Sequence, residues 1–74
     1  MRKLIVFFNG NDPYIIEVGE HLDTLRLEYP DKTKVDLQIM SYRYPGEAVV
    51  EESYYVSDRH LNQREIVQAK ENLL

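Results

Sequence analysis

The sequence predicts an α/β (α+β) fold of order β-α-β-β-α, in which a three-stranded mixed sheet carries two helices. Three observations lead there. An unbroken apolar run occupies residues 4–8, and Tyr14, Ile15, Val18, Leu22, Leu25 and Tyr29 then recur at helical spacing. Two strand-like stretches, 35–40 and 48–56, flank a Pro45-Gly46 turn. At about 100° per residue the six recurring side chains share one stripe. Glu17, Glu20, His21, Asp23, Thr24 and Glu28 point away from it, giving a mostly acidic outer face.

The first strand, residues 3–8, is apolar on both parities and so reads as covered on both faces, as a central or parallel strand is. Asn9-Gly10-Asn11 turns the chain. Asp12 offers a carboxylate to the N–H groups of a first helical turn, and Pro13 suits the first helical position with its fixed φ. The helix spans residues 13–29 and ends at Pro30. It encloses Gly19 at a cost of about 1 kcal/mol relative to Ala, and it leaves Ile16 and Leu27 off the stripe. A competing reading makes this stretch a β-meander, with Leu25 and Leu27 alternating with Arg26 and Glu28 and residues 30–34 forming a hairpin turn. The helix takes precedence because six positions fit it, whereas alternation fits only a short segment.

Val35, Leu37 and Ile39 alternate with Asp36, Gln38 and Met40 in a second strand with unequal faces. Pro45 fixes φ at the first central position of the next turn and Gly46 permits positive φ at the second. If the hairpin loop is even-numbered, Val35 falls opposite Val56, Leu37 opposite Tyr54, Ile39 opposite Glu52 and Ser41 opposite Val50, on a mostly apolar core face. Met40, Tyr42, Val49 and Tyr55 then share the reverse face, and an odd loop would exchange the partners. Ser57 and Asp58 offer capping for a last helix, and Asn62 with Glu65 three residues on has capping-box spacing. Ile66, Ala69 and Leu73 form its narrow apolar stripe, with fraying expected after Lys70. A right-handed crossover sets the first two strands parallel, with the third antiparallel to the second.

Seventy-four residues make one small domain, 1–74. A core this small makes oligomerisation a useful source of stability. The absence of cysteine removes disulfides, thiolate metal sites and cysteine nucleophiles together, and favours the cytoplasm. Thirteen acidic against nine basic residues leave a charge of −4, which disfavours a phosphate backbone as partner. The apolar run at 4–8 is far short of the roughly 20 residues that span a bilayer. It is also too short for a signal-peptide core, so the start reads as mature protein.

Tyr42, Tyr44, Tyr54 and Tyr55 cluster around one hairpin, with Arg43 between the first two. Tyr and Arg are enriched at interface hot spots, so Tyr42, Arg43, Tyr44, Glu51 and Tyr55 form a candidate protein-binding set. Phenol rings and the guanidinium would anchor contacts, while carboxylates would select a basic partner and speed encounter. Tyrosine is also simply favoured in strands. A nucleic-acid reading of the same aromatics, as in a ferredoxin-like RNA-binding module, needs a basic surround. Here the neighbours are Glu47, Glu51 and Glu52, and the final strand of that module is missing.

Other chemistry is weakly represented. Ser41, Ser53 and Ser57 lack a nucleophile elbow, and the carboxylates are too numerous and exposed to nominate an acid and base, so no enzyme is expected. His21 follows Glu17 at helical i,i+4 spacing, but two ligands without a third seldom hold a metal, and neither metal nor cofactor is expected. Asp12 at the expected helix cap would repel a phosphate from the Asn9-Gly10-Asn11 turn.

Residues 4–8 leading into Asn11-Asp12-Pro13-Tyr14-Ile15, then Glu28-Tyr29-Pro30-Asp31-Lys32 before a strand, resemble the first half of a thioredoxin or glutaredoxin fold. In that family a Cys-Pro-Tyr-Cys or similar motif begins the first active-site helix. Asp12 and Ile15 stand here at the two cysteine positions, so the resemblance implies a cysteine-less thioredoxin-like domain without redox activity. It covers residues 3–40, beyond which no helix precedes the hairpin.

The function expected from these features is non-catalytic macromolecule binding. A small acidic cytoplasmic protein would act as a regulator or inhibitor by occupying a protein partner or a second copy of itself, with no membrane involved. Very small acidic chains without catalytic groups are common among phage and mobile-element products that work in this way.

Overall fold

The computed structural model describes residues 1–43 and 52–73. The elements run β1 (Arg2–Phe7), β2 (Tyr14–Val18), β3 (Thr24–Glu28), β4 (Lys34–Gln38), β5 (Met40–Arg43), β6 (Glu52–Ser57) and α1 (Gln63–Leu73). They form a four-stranded mixed sheet of order β2-β1-β6-β5, a two-stranded sheet β3-β4 and a single C-terminal helix. This corrects the expected three-stranded sheet with two helices. The stretch 14–29 supplies two strands, as the meander reading had it, and no helix.

The reversal begins at Asn9 and Gly10. Both have positive φ, 55° and 69°, and the Asn11 N–H donates to the Phe8 carbonyl at 3.1 Å. Two left-handed central residues match the twist of antiparallel strands, so the turn feeds a hairpin rather than a helix. Asp12 and Pro13 lie in the connection to β2, which pairs antiparallel with β1 from Val6↔Tyr14 to Arg2↔Val18. The thioredoxin-like reading falls with the helix, because Asp12 and Ile15 precede and join a strand. A second turn closes after Gly19, whose carbonyl accepts from the Leu22 N–H at 3.1 Å.

Strand periodicity accounts for the residues that a helix left over. Ile16 and Leu27, off the helical stripe, pack against the main core, whereas Leu22, on the stripe, is 38% exposed. An i,i+4 spacing is even, so Tyr14 and Val18, or Leu25 and Tyr29, satisfy one face of a strand as well as one face of a helix.

Strands β3 and β4 pair from Thr24↔Gln38 to Glu28↔Lys34. Their loop is compact: Tyr29 N–H donates to Thr33 O at 2.7 Å, and Lys32 N–H to Tyr29 O at 2.8 Å. Pro30 presets the first central φ, and Lys32 takes the left-handed position with φ 73°. Leu25, Leu27, Val35 and Leu37 turn inward, while Arg26 meets Asp36 on the outer face through two hydrogen bonds of 2.7 and 3.3 Å.

The expected second strand is two strands. The chain leaves the small sheet after Gln38, where Ile39 N–H still donates to Asp23 O at 2.9 Å, and enters the large sheet at Met40. Strand β5 is antiparallel to β6, but Tyr54 faces Ser41 rather than Leu37, and Tyr55 faces Met40. Val35 belongs to the other sheet and cannot face Val56. The expected partner Val50 lies outside the described residues, as does Val49. The parallel partner of β1 is β6, through Leu4↔Tyr54 to Phe7↔Ser57, and not the strand that follows the 13–29 stretch.

Strand β1 is central and covered on both faces, as its composition required. Leu4, Val6, Phe8, Val18 and Val56 meet Leu37 and the inner face of the β3-β4 hairpin. Ile5 and Phe7 meet Ala69 of α1, with Ile15, Tyr55 and Leu61 around them. The hairpin thus takes the place expected of a helix. The cap of α1 is Asn62: its Oδ1 accepts from Glu65 N–H at 2.9 Å, and Glu65 Oε2 accepts from Asn62 N–H at 3.1 Å. This reciprocal pair is the expected capping box. The helix continues past Lys70 to Leu73. Among the described residues, no helix is long and apolar enough to cross a membrane.

Candidate functional site

Among the described residues two regions are candidate sites. The first is the β5 side of the large sheet. Residues directly opposite in an antiparallel pair share a face, so Met40 with Tyr55 and Tyr42 with Ser53 all lie on the side that α1 partly covers. Tyr55 is held there, its ring meeting Phe7 edge-on with centroids 6.2 Å apart at 87°. Among the described residues, the apolar cluster under the helix includes Tyr55 but neither Met40 nor Tyr42. Met40, 45% exposed, and half-buried Tyr42 therefore extend the same face beyond the helix.

The structure thus places Tyr42 and Tyr55 of the expected binding set on one sheet face. Arg43 ends β5 and pairs with Glu52 through the backbone. Tyr44 and Glu51 lie outside the described residues. Met40 shares that face and is a further apolar candidate for the set. Alternation over 35–40 had placed it on the reverse face, which was its only signal.

The remaining expectations lose their geometric premise. Glu17 belongs to β2 and His21 to the following turn, so their four-residue spacing no longer stacks two ligands on a helix. Among the described residues no group of three His, Asp or Glu side chains converges. The acidic outer face dissolves into separate places: Glu17 on β2, Glu20 beside the N-terminal ammonium at 3.8 Å, and Glu28 on β3 facing Lys34. Tyr54 and Tyr55 point to opposite faces, Tyr54 beneath the Arg2 guanidinium at 4.1 Å from its ring centre.

The second region is a cleft of about 470 Å³ between the Asn9-Gly10 turn and the tip of the β3-β4 hairpin. Two of its lining residues, Asn9 and Tyr29, are tied together by Asp58. The Asp58 carboxylate accepts from Asn9 N–H at 2.9 Å and from Tyr29 Oη at 3.0 Å, both at Oδ2. The Asp58 N–H in turn donates to Phe7 O at 3.2 Å. Phe8 and Tyr29 rings stack at 4.5 Å with a 32° tilt. Burial raises the Tyr29 phenol above its usual pKa, and the Asp58 hydrogen bond and the Asp58 and Asp31 charges add to it. Asp58 does not cap α1, although its position before the helix suggests a cap; its bonds depend on the hairpin folding back over β1.

No family model, no curated protein and no solved structure matches this chain.

Proposed function

We propose that this chain is a non-catalytic, protein-binding domain of the cytoplasm, a regulator or inhibitor that engages a protein partner or a second copy through the β5 side of its large sheet. The observation that carries the reading is the exposed Met40 beside Tyr42 on a strand that, among the described residues, ends the sheet, outside the apolar cluster that α1 covers. Met and Tyr are enriched at the centres of protein interfaces. A strand at the end of a sheet can be extended by a strand from a partner. The net charge of −4 favours a basic partner and speeds its encounter.

The nucleic-acid alternative has less support. Tyr54 lies on the face opposite Tyr55 and Tyr42, and a net charge of −4 supplies no excess of basic groups for a phosphate backbone.

Capture from native cells by the wild-type chain and by Met40→Asp, with light-scattering masses of both, tests the proposal. Wild type should retain a partner or exceed monomer mass, and the variant should lose either property while keeping its circular dichroism. A monomeric wild type without a partner, or binding indifferent to Met40→Asp, would refute it. Tight, steeply salt-dependent binding of single-stranded oligonucleotides would replace it with the alternative.

A further inference from the structure

The cleft at the hairpin tip lies away from β5, with its outermost aromatic, Tyr14, on the opposite edge strand of the large sheet. Its volume falls within the range of small-molecule sites. Its two walls come from segments far apart in the chain, and the Asp58 hydrogen bonds and the Phe8–Tyr29 stack fix them relative to each other. A ligand would therefore meet a preformed shape.

The lining chemistry is specific. Tyr14, 41% exposed, stands at the cleft beside the half-buried Tyr29. Asn9 and Asn11 contribute exposed side-chain amides that make no hydrogen bond among the described residues, although each has both a donor and an acceptor to offer. Lys32 and Glu28 supply one positive and one negative charge, so the lining is balanced. Both non-glycine residues with positive φ among those described, Asn9 and Lys32, are on this lining. Lysine is a poor choice for a left-handed position that glycine or asparagine fills at less cost.

A free anion would face Glu28 with Asp31 and Asp58 close by, and a free cation would face Lys32. An apolar ligand would leave the amides without partners. A sugar ring fits all three constraints, because it presents a face of C–H groups for an aromatic ring and a rim of hydroxyls that donate and accept. We propose that this cleft binds a neutral saccharide unit, stacked on Tyr14 and hydrogen-bonded at its rim by Asn9, Asn11, Lys32 and Glu28.

The probes are methyl glucoside, methyl galactoside, methyl mannoside and N-acetylglucosamine, added separately to the full ¹⁵N-labelled chain and followed by amide shifts. At least one should saturate in the millimolar range expected for a polar ligand of about a dozen heavy atoms, with shifts centred on residues 9–14 and 28–32. Tyr14→Ala and Asn11→Ala alter exposed side chains, keep the wild-type spectrum elsewhere and weaken binding roughly tenfold each. Absence of saturable shifts with all four glycosides overturns the proposal. So does binding that survives both substitutions, or a response at the same amides to inorganic phosphate or guanidinium but not to sugars.

Discussion

Leu4 has no exposed surface, whereas Leu22 stands 38% exposed on the turn after β2. Helical spacing would bury Leu22; strand pairing leaves it at a turn, and the two placements differ in energy by an amount that can be measured. Leu4 sits where β1, β6 and the hairpin converge, so Leu4→Ala removes buried methyl groups and leaves a cavity that three elements would have to close. Its expected cost is about 3 kcal/mol, a large share of the roughly 5–15 kcal/mol that holds a domain together. Leu22→Asp should lie within about 0.5 kcal/mol of wild type, because it alters an exposed turn position. Urea midpoints of the two variants check both values, and the opposite ranking would restore the buried helical stripe. Asp58 illustrates the same point for a polar residue. Its carboxylate makes contacts to Asn9 and Tyr29 that no local motif announces.

The elements differ in how firmly they are held. Strand β1 is hydrogen-bonded on both sides, by β2 and by β6, whereas among the described residues β3 and β4 are paired as strands only with each other. A lone two-stranded hairpin is marginal in water, so this one depends on its inward leucines and on the Tyr29–Asp58 bond. Native-state hydrogen exchange should therefore show hairpin amides opening before those of β1, and Tyr29→Phe should widen the gap. Equal protection in both strands would mean that the hairpin opens only with the whole domain. This ranking also explains what the sequence made legible. The apolar run of β1 on both parities announced a central strand, and Asn62 with Glu65 announced the cap of α1. Residues 14–29 mimic a helix because i,i+4 spacing suits either period and Asp12-Pro13 imitates a helix start. Asn9-Gly10 was the contrary signal, a dipeptide suited to two left-handed positions, and Ile16 and Leu27 supported it. Tyr42 and Tyr55 could be placed on one face by alternation. The cleft could not be found in this way, because Tyr29 and Asp58 are 29 residues apart and meet only when the hairpin folds back.

The whole molecule is held by two apolar layers on either side of one sheet, and its ionisable groups tune that stability from the surface. Among the described residues three carboxyls have lowered pKa values: Asp31 accepts from Thr33 N–H, Asp36 from Arg26, and Glu65 from Asn62 N–H with Arg59 beside it. Each binds its proton more weakly in the folded chain than in the unfolded one. Their contribution is complete above the ordinary carboxyl pKa of about 4 and disappears as pH falls through the folded values. Tyr29 acts in the opposite sense. Its raised pKa means that the folded chain holds the phenol proton more tightly, so its contribution is complete below about pH 10 and is lost as pH rises through the folded value. These groups together should make stability level between about pH 5 and 9 and declining on both sides. Urea midpoints across that range and beyond it provide the measurement. Tyr29→Phe should lower the plateau by removing the bond to Asp58 and should flatten the alkaline decline. A variant that falls as steeply as wild type above about pH 10 would show that another group governs that limb.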